Sequence, residues 1–156
     1  MKEYYMNTKD CYVKMWRNFA RFTGRATRAE YWYAFLAHLI IAFALGVLAR
    51  AGGLFVTAGG LYALVCAMPF IALSVRRLHD VGKSGKLWLA VTALAVLSQV
   101  CLVAGFVSFT AALLGLGGAF SIAAALTALY LIIQCGRKGT PGENQYGPDP
   151  RGASEI

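Results

Sequence analysis

The sequence is short of acid: seven Asp and Glu stand against 15 Lys and Arg, a formal net charge of +8 at pH 7. None of those carboxylates interrupts a long apolar run, so there is no chain of buried acids to relay protons, and a proton-coupled pump is disfavoured. Cysteine is also sparse. Cys11, Cys66, Cys101 and Cys135 are widely separated and form no C-x-x-C pair, which excludes the usual metal-site and disulfide-framework patterns. Cys11 and Cys135 are assigned to the reducing side of a membrane, where bridges do not persist, and the other two read as small apolar residues. Neither G-x-x-x-x-G-K-[ST] nor a G-x-G-x-x-G in a strand-to-helix setting is present, so no nucleotide site or other cofactor is expected. A cleavable signal peptide is not expected either, because charges and aromatic residues fill the thirty positions before the first apolar run.

What the chain has in quantity is apolar surface. Of its 156 residues 58% are hydrophobic and 14% charged, and the mean hydropathy is +0.57, too much to hide inside a soluble domain of this size. Uncharged runs extend over 32–49, 54–75 and 87–135. A helix crossing the hydrocarbon core needs roughly 20 apolar residues. The first two runs therefore make one crossing each, and the third makes two. Its bend falls either at 105–110 or at the Gly-rich 115–118; the first is preferred, because the second shortens the last helix towards the lower limit of about 17 residues. The expected fold is an all-α membrane protein, a single domain with transmembrane helices over 28–49, 54–76, 87–106 and 111–135 in a compact bundle.

Basic residues are distributed unevenly along this frame. Seven precede the first span, Arg76, Arg77, Lys83 and Lys86 lie between the second and third, and Arg137, Lys138 and Arg151 follow the fourth; only Arg50 falls on the opposite side. Lys and Arg beside spans stay on the cytoplasmic side, so both termini are expected there, in a bacterial inner membrane. The asymmetric charge predicts contact with anionic lipid, at about 1 kcal/mol per basic residue near the surface, rather than with nucleic acid.

Before the first span, Tyr12, Trp16 and Phe19, flanked by Met15 and Phe22, share a helical face while Lys14, Arg17 and Arg21 project elsewhere. An amphipathic interfacial helix over 11–26 is expected. Thr27 and Glu30 have capping-box spacing at the start of the first span, and Tyr31, Trp32 and Tyr33 would sit at headgroup level.

Small residues recur every four positions in three spans: Ala34, Ala42 and Gly46 with His38; Gly59, Ala63 and Ala67; Gly115, Ala119 and Ala123 with Thr127. Such stripes let helices approach closely in lipid, and they leave a homo-oligomer open. Pro69 is expected to kink the second span. The polar residues inside the spans, His38, Gln99 and Gln134, serve either as interhelical hydrogen-bonding groups or as the lining of a transport path.

The stretch RRLHDVGKSGK, Arg76 to Lys86, places His79 beside Asp80. Adjacent helical residues diverge by about 100°, and no further histidine or carboxylate converges on them, so no catalytic residue is assigned. The structural reading explains more: Arg76 and Arg77 at a helix C-terminus, Asp80 pairing with an arginine or capping a turn, Gly82 and Gly85 in a bend, Lys83 and Lys86 reaching headgroups.

FTGRATRAEYW (22–32), RRLHDVGKSGK (76–86) and GTPGENQYGPDP (139–150) resemble, in order, the three signature blocks of the bacterial membrane family called domain of unknown function 805. The resemblance implies a small helical inner-membrane protein and no particular activity; this chain departs from it with Lys86 where many members have an aromatic residue. All three blocks fall on the cytoplasmic side. The third, within 136–156, is too rich in Gly and Pro for a helix and is expected to be an extended tail. It is expected to fold onto the other two, with Glu30, Asp80, Glu143 or Asp149 pairing with Arg25, Arg28, Arg76 or Arg77. The leading function is a noncatalytic scaffold or regulator whose basic cap binds anionic lipid or a protein partner through Arg25, Arg28, Glu30, Arg76, Arg77, His79, Asp80, Lys83 and Lys86. A small transporter or channel is the alternative, and a lipid-headgroup enzyme using His79 and Asp80 ranks third.

Overall fold

A computed structural model describes residues 7–151. Every regular element in it is helical: α1 (Thr8–Arg17), α2 (Arg28–Leu48) with a 3-10 turn at Ala49–Ala51, α3 (Gly53–Asp80), α4 (Lys86–Val107) and α5 (Ala111–Gly136). The last four are long and apolar enough to cross a membrane. Contacts divide the chain into two units, residues 1–83 with 137–156, and residues 84–136.

In the first unit α1 begins earlier and stops sooner than the 11–26 expected. Asn7 caps it by accepting from the Asp10 N–H at 2.9 Å, and Asn18 ends it by turning its own amide onto the Lys14 carbonyl at 2.8 Å. Cys11 and Met15, one turn apart, are fully buried. Met15, at the flank of the Tyr12, Trp16 and Phe19 face, thus packs with Cys11, while Phe19 lies beyond the helix, exposed. Thr27 caps α2, its hydroxyl accepting from the Glu30 N–H at 3.1 Å. Tyr31 is buried, with its ring 5.8 Å from that of Phe70.

The larger departure concerns α3. It does not end at residue 76 but continues through Pro69 to Asp80, so His79 and Asp80 are helical along with Arg76 and Arg77. Basic side chains in its last turn complement the helix dipole. A Schellman motif then stops it: Lys83 N–H donates to Leu78 O at 2.9 Å and Gly82 N–H to His79 O at 3.1 Å, with Gly82 at φ +72°. Gly59 brings α3 close to α2, where an added Cβ would lie 4.0 Å from that of Leu45.

The second unit is the pair α4 and α5, joined by a turn at 108–110. Its close approach does not use the stripe that begins at Gly115. A Cβ on Gly117 would lie 2.7 Å from Leu102, whereas one on Gly115 would meet nothing. Ser98 reinforces that contact by bonding Gly117 O at 3.1 Å and Ser121 at 2.6 Å. Small residues alone did not distinguish the two faces; the hydroxyl pair selects one.

Candidate functional site: three blocks joined at Asp80

Two residues after the left-handed Gly24, the chain pairs with the last turns of α3: Ala26 N–H donates to Arg76 O at 3.1 Å and Ala26 O accepts from Arg77. This sets Arg25 over Asp80. The Arg25 guanidinium meets Asp80 Oδ1 through Nε at 2.9 Å and Nη2 at 2.8 Å. Arg77, one helical turn before Asp80, takes the other carboxylate oxygen and also donates to the carbonyl of Arg137. One carboxylate therefore holds two arginines, and all three side chains are within 2% of complete burial.

The tail closes the group. The remaining N–H donors of Arg25 go to the carbonyls of Thr140, Gly142 and Gly147, while Thr140 N–H donates to the Asp80 carbonyl at 2.8 Å. Asn144 bridges His79 O at 3.0 Å and Thr140 Oγ1 at 2.8 Å. The Tyr146 ring lies parallel to that of His79 with centroids 3.9 Å apart, and His79 Nδ1 donates to Gly24 O at 3.1 Å. Gly139 is sterically required, since a Cβ there would fall 2.0 Å from Asp80 Oδ2. Chemically this is a closed lock: two guanidiniums share one carboxylate and give their other donors to backbone carbonyls, and no hydrogen bond between His79 and Asp80 makes a dyad.

Beside the lock sits a second ionic group. Glu30 takes Lys14 Nζ at 3.0 Å and Arg76 Nη1 at 3.3 Å, so its carboxylate does not complete a capping box. Burial pushes the Cys11 thiol above its ordinary pKa, with the charge of Glu30 adding to the effect, which keeps it in the unreactive protonated form.

Arg28 and Lys83 are exposed, as is Lys86 in the other unit, and none makes an ion pair with a described residue. The tail carboxylates do not reach the lock: Asp149 pairs with Arg151 at 2.7 Å and Glu143 is exposed. Within the spans, His38 Nδ1 is 3.0 Å from the Tyr62 hydroxyl, which lies 3.2 Å from that of Tyr12. Gln99 is exposed on α4 and Gln134 buried on α5. Tyr12 and Tyr62 were not legible as polar partners, because in a helical-periodicity reading a tyrosine counts with the apolar face.

The three blocks that converge here are also where a family match falls. The family described as "Protein of unknown function (DUF805)" matches residues 19–148. The chain belongs to the DUF805 family. It is 32% identical over 148 residues to the inner membrane protein YhaH of Escherichia coli strain K12, covering 91% of this chain and 97% of that one. It is 32% identical over 141 residues to the inner membrane protein YhaI of the same strain, covering 90% and 94%. No solved structure matches it. For a DUF805 chain with four membrane-length helices, the outward apolar side chains have lipid as their solvent.

Proposed function

We propose that this DUF805 protein is a noncatalytic inner-membrane scaffold, its termini cytoplasmic, whose locked cap presents exposed basic side chains to anionic phospholipid. The observation that carries this reading is the lock itself. Asp80, Arg25, Arg77 and the tail carbonyls satisfy one another, which suits a rigid platform rather than a reacting centre. Arg28, at the start of α2, and Lys83, just past the end of α3, flank that platform with their charges uncompensated by the described residues. The lysine and arginine asymmetry about the spans supports a cytoplasmic cap, and α1, with Lys14 and Arg17 exposed, serves as its interfacial edge.

Native mass spectrometry of gently extracted protein tests it. The Arg28→Ala, Lys83→Ala double variant is expected to retain fewer anionic lipids than the parent at equal stability. Equal retention would reject the lipid platform. The His38, Tyr62 and Tyr12 string favours a second reading, a small transporter, which solute flux into proteoliposomes would reveal and a His38→Ala variant would abolish.

A further inference from the structure

The chain between α1 and α2 is fastened at both ends. Met15 is buried before it, and Arg25 and Ala26 are held in the lock after it, beyond the left-handed Gly24. Its own backbone bonds keep it in tight turns: Phe19 N–H donates to Trp16 O at 3.2 Å and Arg21 N–H to Asn18 O at 3.1 Å. Yet this anchored loop turns its large side chains outward, with Phe19 54% and Phe22 38% exposed. Arg17 and Arg21 are exposed beside them, without an ion pair among the described residues, and all four line one open concavity of about 550 Å³. A loop that only joined two helices would have no use for two phenylalanines in water.

The level of this loop follows from α1. Tyr12 and Lys14 are about 3 Å apart along that helix, but their side chains diverge. The Tyr12 hydroxyl lies 3.2 Å from that of Tyr62 and 4.0 Å from Cys66 Sγ, whereas Lys14 meets Glu30 at 3.0 Å, the carboxylate shared with Arg76. Tyr62 and Cys66 precede Arg76 by 14 and 10 residues, about 21 and 15 Å of α3. α1 is therefore docked on α2 and α3 between those levels. A helix lying in a bilayer interface sits at such a depth, its apolar face about 5–10 Å into the headgroup–acyl boundary and its lysines reaching back towards water. Trp32 and Tyr33, exposed on the first turns of α2, continue the aromatic surface at that level.

We infer that the loop over residues 17–23 is a membrane foot: the Phe19 and Phe22 rings enter the headgroup–acyl boundary of the bilayer that α2 and α3 cross, and Arg17 and Arg21 contact its anionic phosphates. The inference rests on the lipid-platform reading and adds to it an apolar attachment, at a different segment from Arg28 and Lys83. Lipid fits better than a protein partner as the occupant, because the surface continues the Trp32 and Tyr33 belt and carries its arginines with no acid anywhere in residues 11–29. The two attractions differ in kind, since salt screens the arginine contacts and leaves the burial of the rings.

The test places a nitroxide on single introduced cysteines of the full chain in nanodiscs of mixed phosphatidylglycerol and phosphatidylcholine, with Cys101→Ala as background because the other three native cysteines are buried. Phe19→Cys and Phe22→Cys alter exposed positions, and Gln145→Cys, exposed on the tail, supplies the aqueous reference. Labels at 19 and 22 are expected to collide with oxygen and to exclude a water-soluble nickel chelate, the reverse of the label at 145. Nickel accessibility at 19 and 22 equal to that at 145 overturns the foot. Replacing all phosphatidylglycerol by phosphatidylcholine should raise nickel accessibility at both sites, and no change on that exchange overturns the arginine contacts. The Arg28→Ala, Lys83→Ala measurement reads a different segment, so water-exposed labels together with lost lipid retention in that variant would remove the foot alone and leave the platform standing.

Discussion

The spans and the cap invert one another. Along the membrane-length helices large apolar side chains face outward, with Phe43 73% and Leu64 74% exposed, whereas in the cap Arg77, Glu30 and Asp80 are among the most deeply buried side chains described. The difference is one of solvent. Lipid makes outward leucine and phenylalanine free of cost, so the spans gain little from burying them and associate through close backbone approach. In the cap the buried charges of Arg25, Arg77 and Asp80 are held by mutual ion pairs and hydrogen bonds, without which their burial would be costly.

The sharpest way to break this contrast is to delete the shared carboxylate. Asp80→Ala leaves Arg25 and Arg77 buried without their anion, and a loss of about 3–5 kcal/mol is expected. Leu64→Ala removes a larger side chain from the lipid face of the same helix and should change stability by no more than about 0.5 kcal/mol. Thermal unfolding of both variants in one detergent makes the comparison, and equal destabilisation would refute the lock.

A smaller effect is expected from Gly139→Ala, which forces a methyl group against the Asp80 carboxylate. Overpacking of about 1–3 kcal/mol should fall on the tail first. Faster limited proteolysis after residue 137, with α2 and α3 still protected, is the expected pattern.

The smallest concerns acid. The guanidinium of Arg151 holds the Asp149 carboxyl down to about 2, below its ordinary 3.8, and the same carboxylate accepts from Gly142 N–H at 3.1 Å. A depressed carboxyl adds stability that is complete above its ordinary value and is lost as pH falls through the lower one. Tail anchoring should therefore be constant above about pH 4 and weaken between about 4 and 2. Proton exchange at Gly142 N–H, followed by nuclear magnetic resonance in micelles, would show it, and a flat response there would mean the pair contributes nothing.

Span number was legible because it depends only on length and apolar run, properties of consecutive residues. The sequence brought three blocks together but left four carboxylates open as their partner, Glu30, Asp80, Glu143 and Asp149; that Asp80 takes Arg25 and Arg77 while Asp149 pairs with Arg151 depends on the fold. The boundaries of α1 and α3 were not legible. Asn18 ends α1 with a side-chain bond back to Lys14 O, Gly82 ends α3 through backbone bonds made only once the chain has turned, and Arg76 looked in sequence like a neighbour equivalent to Arg77. Successive helical residues diverge by about 100°, which sends Arg77 into the lock and Arg76 to Glu30.

By itself the sequence determined that the chain has four stretches long and apolar enough to cross a membrane and that its basic residues lie outside the apolar runs, because hydrophobic length and charge placement are local quantities. Only the tertiary structure decided which of the basic residues are structural and which are available. That division depends on contacts such as Arg25 to Asp80 and to the tail carbonyls, 55 to 122 positions away in the chain, and no local pattern specifies which of several like charges will be the one that is buried.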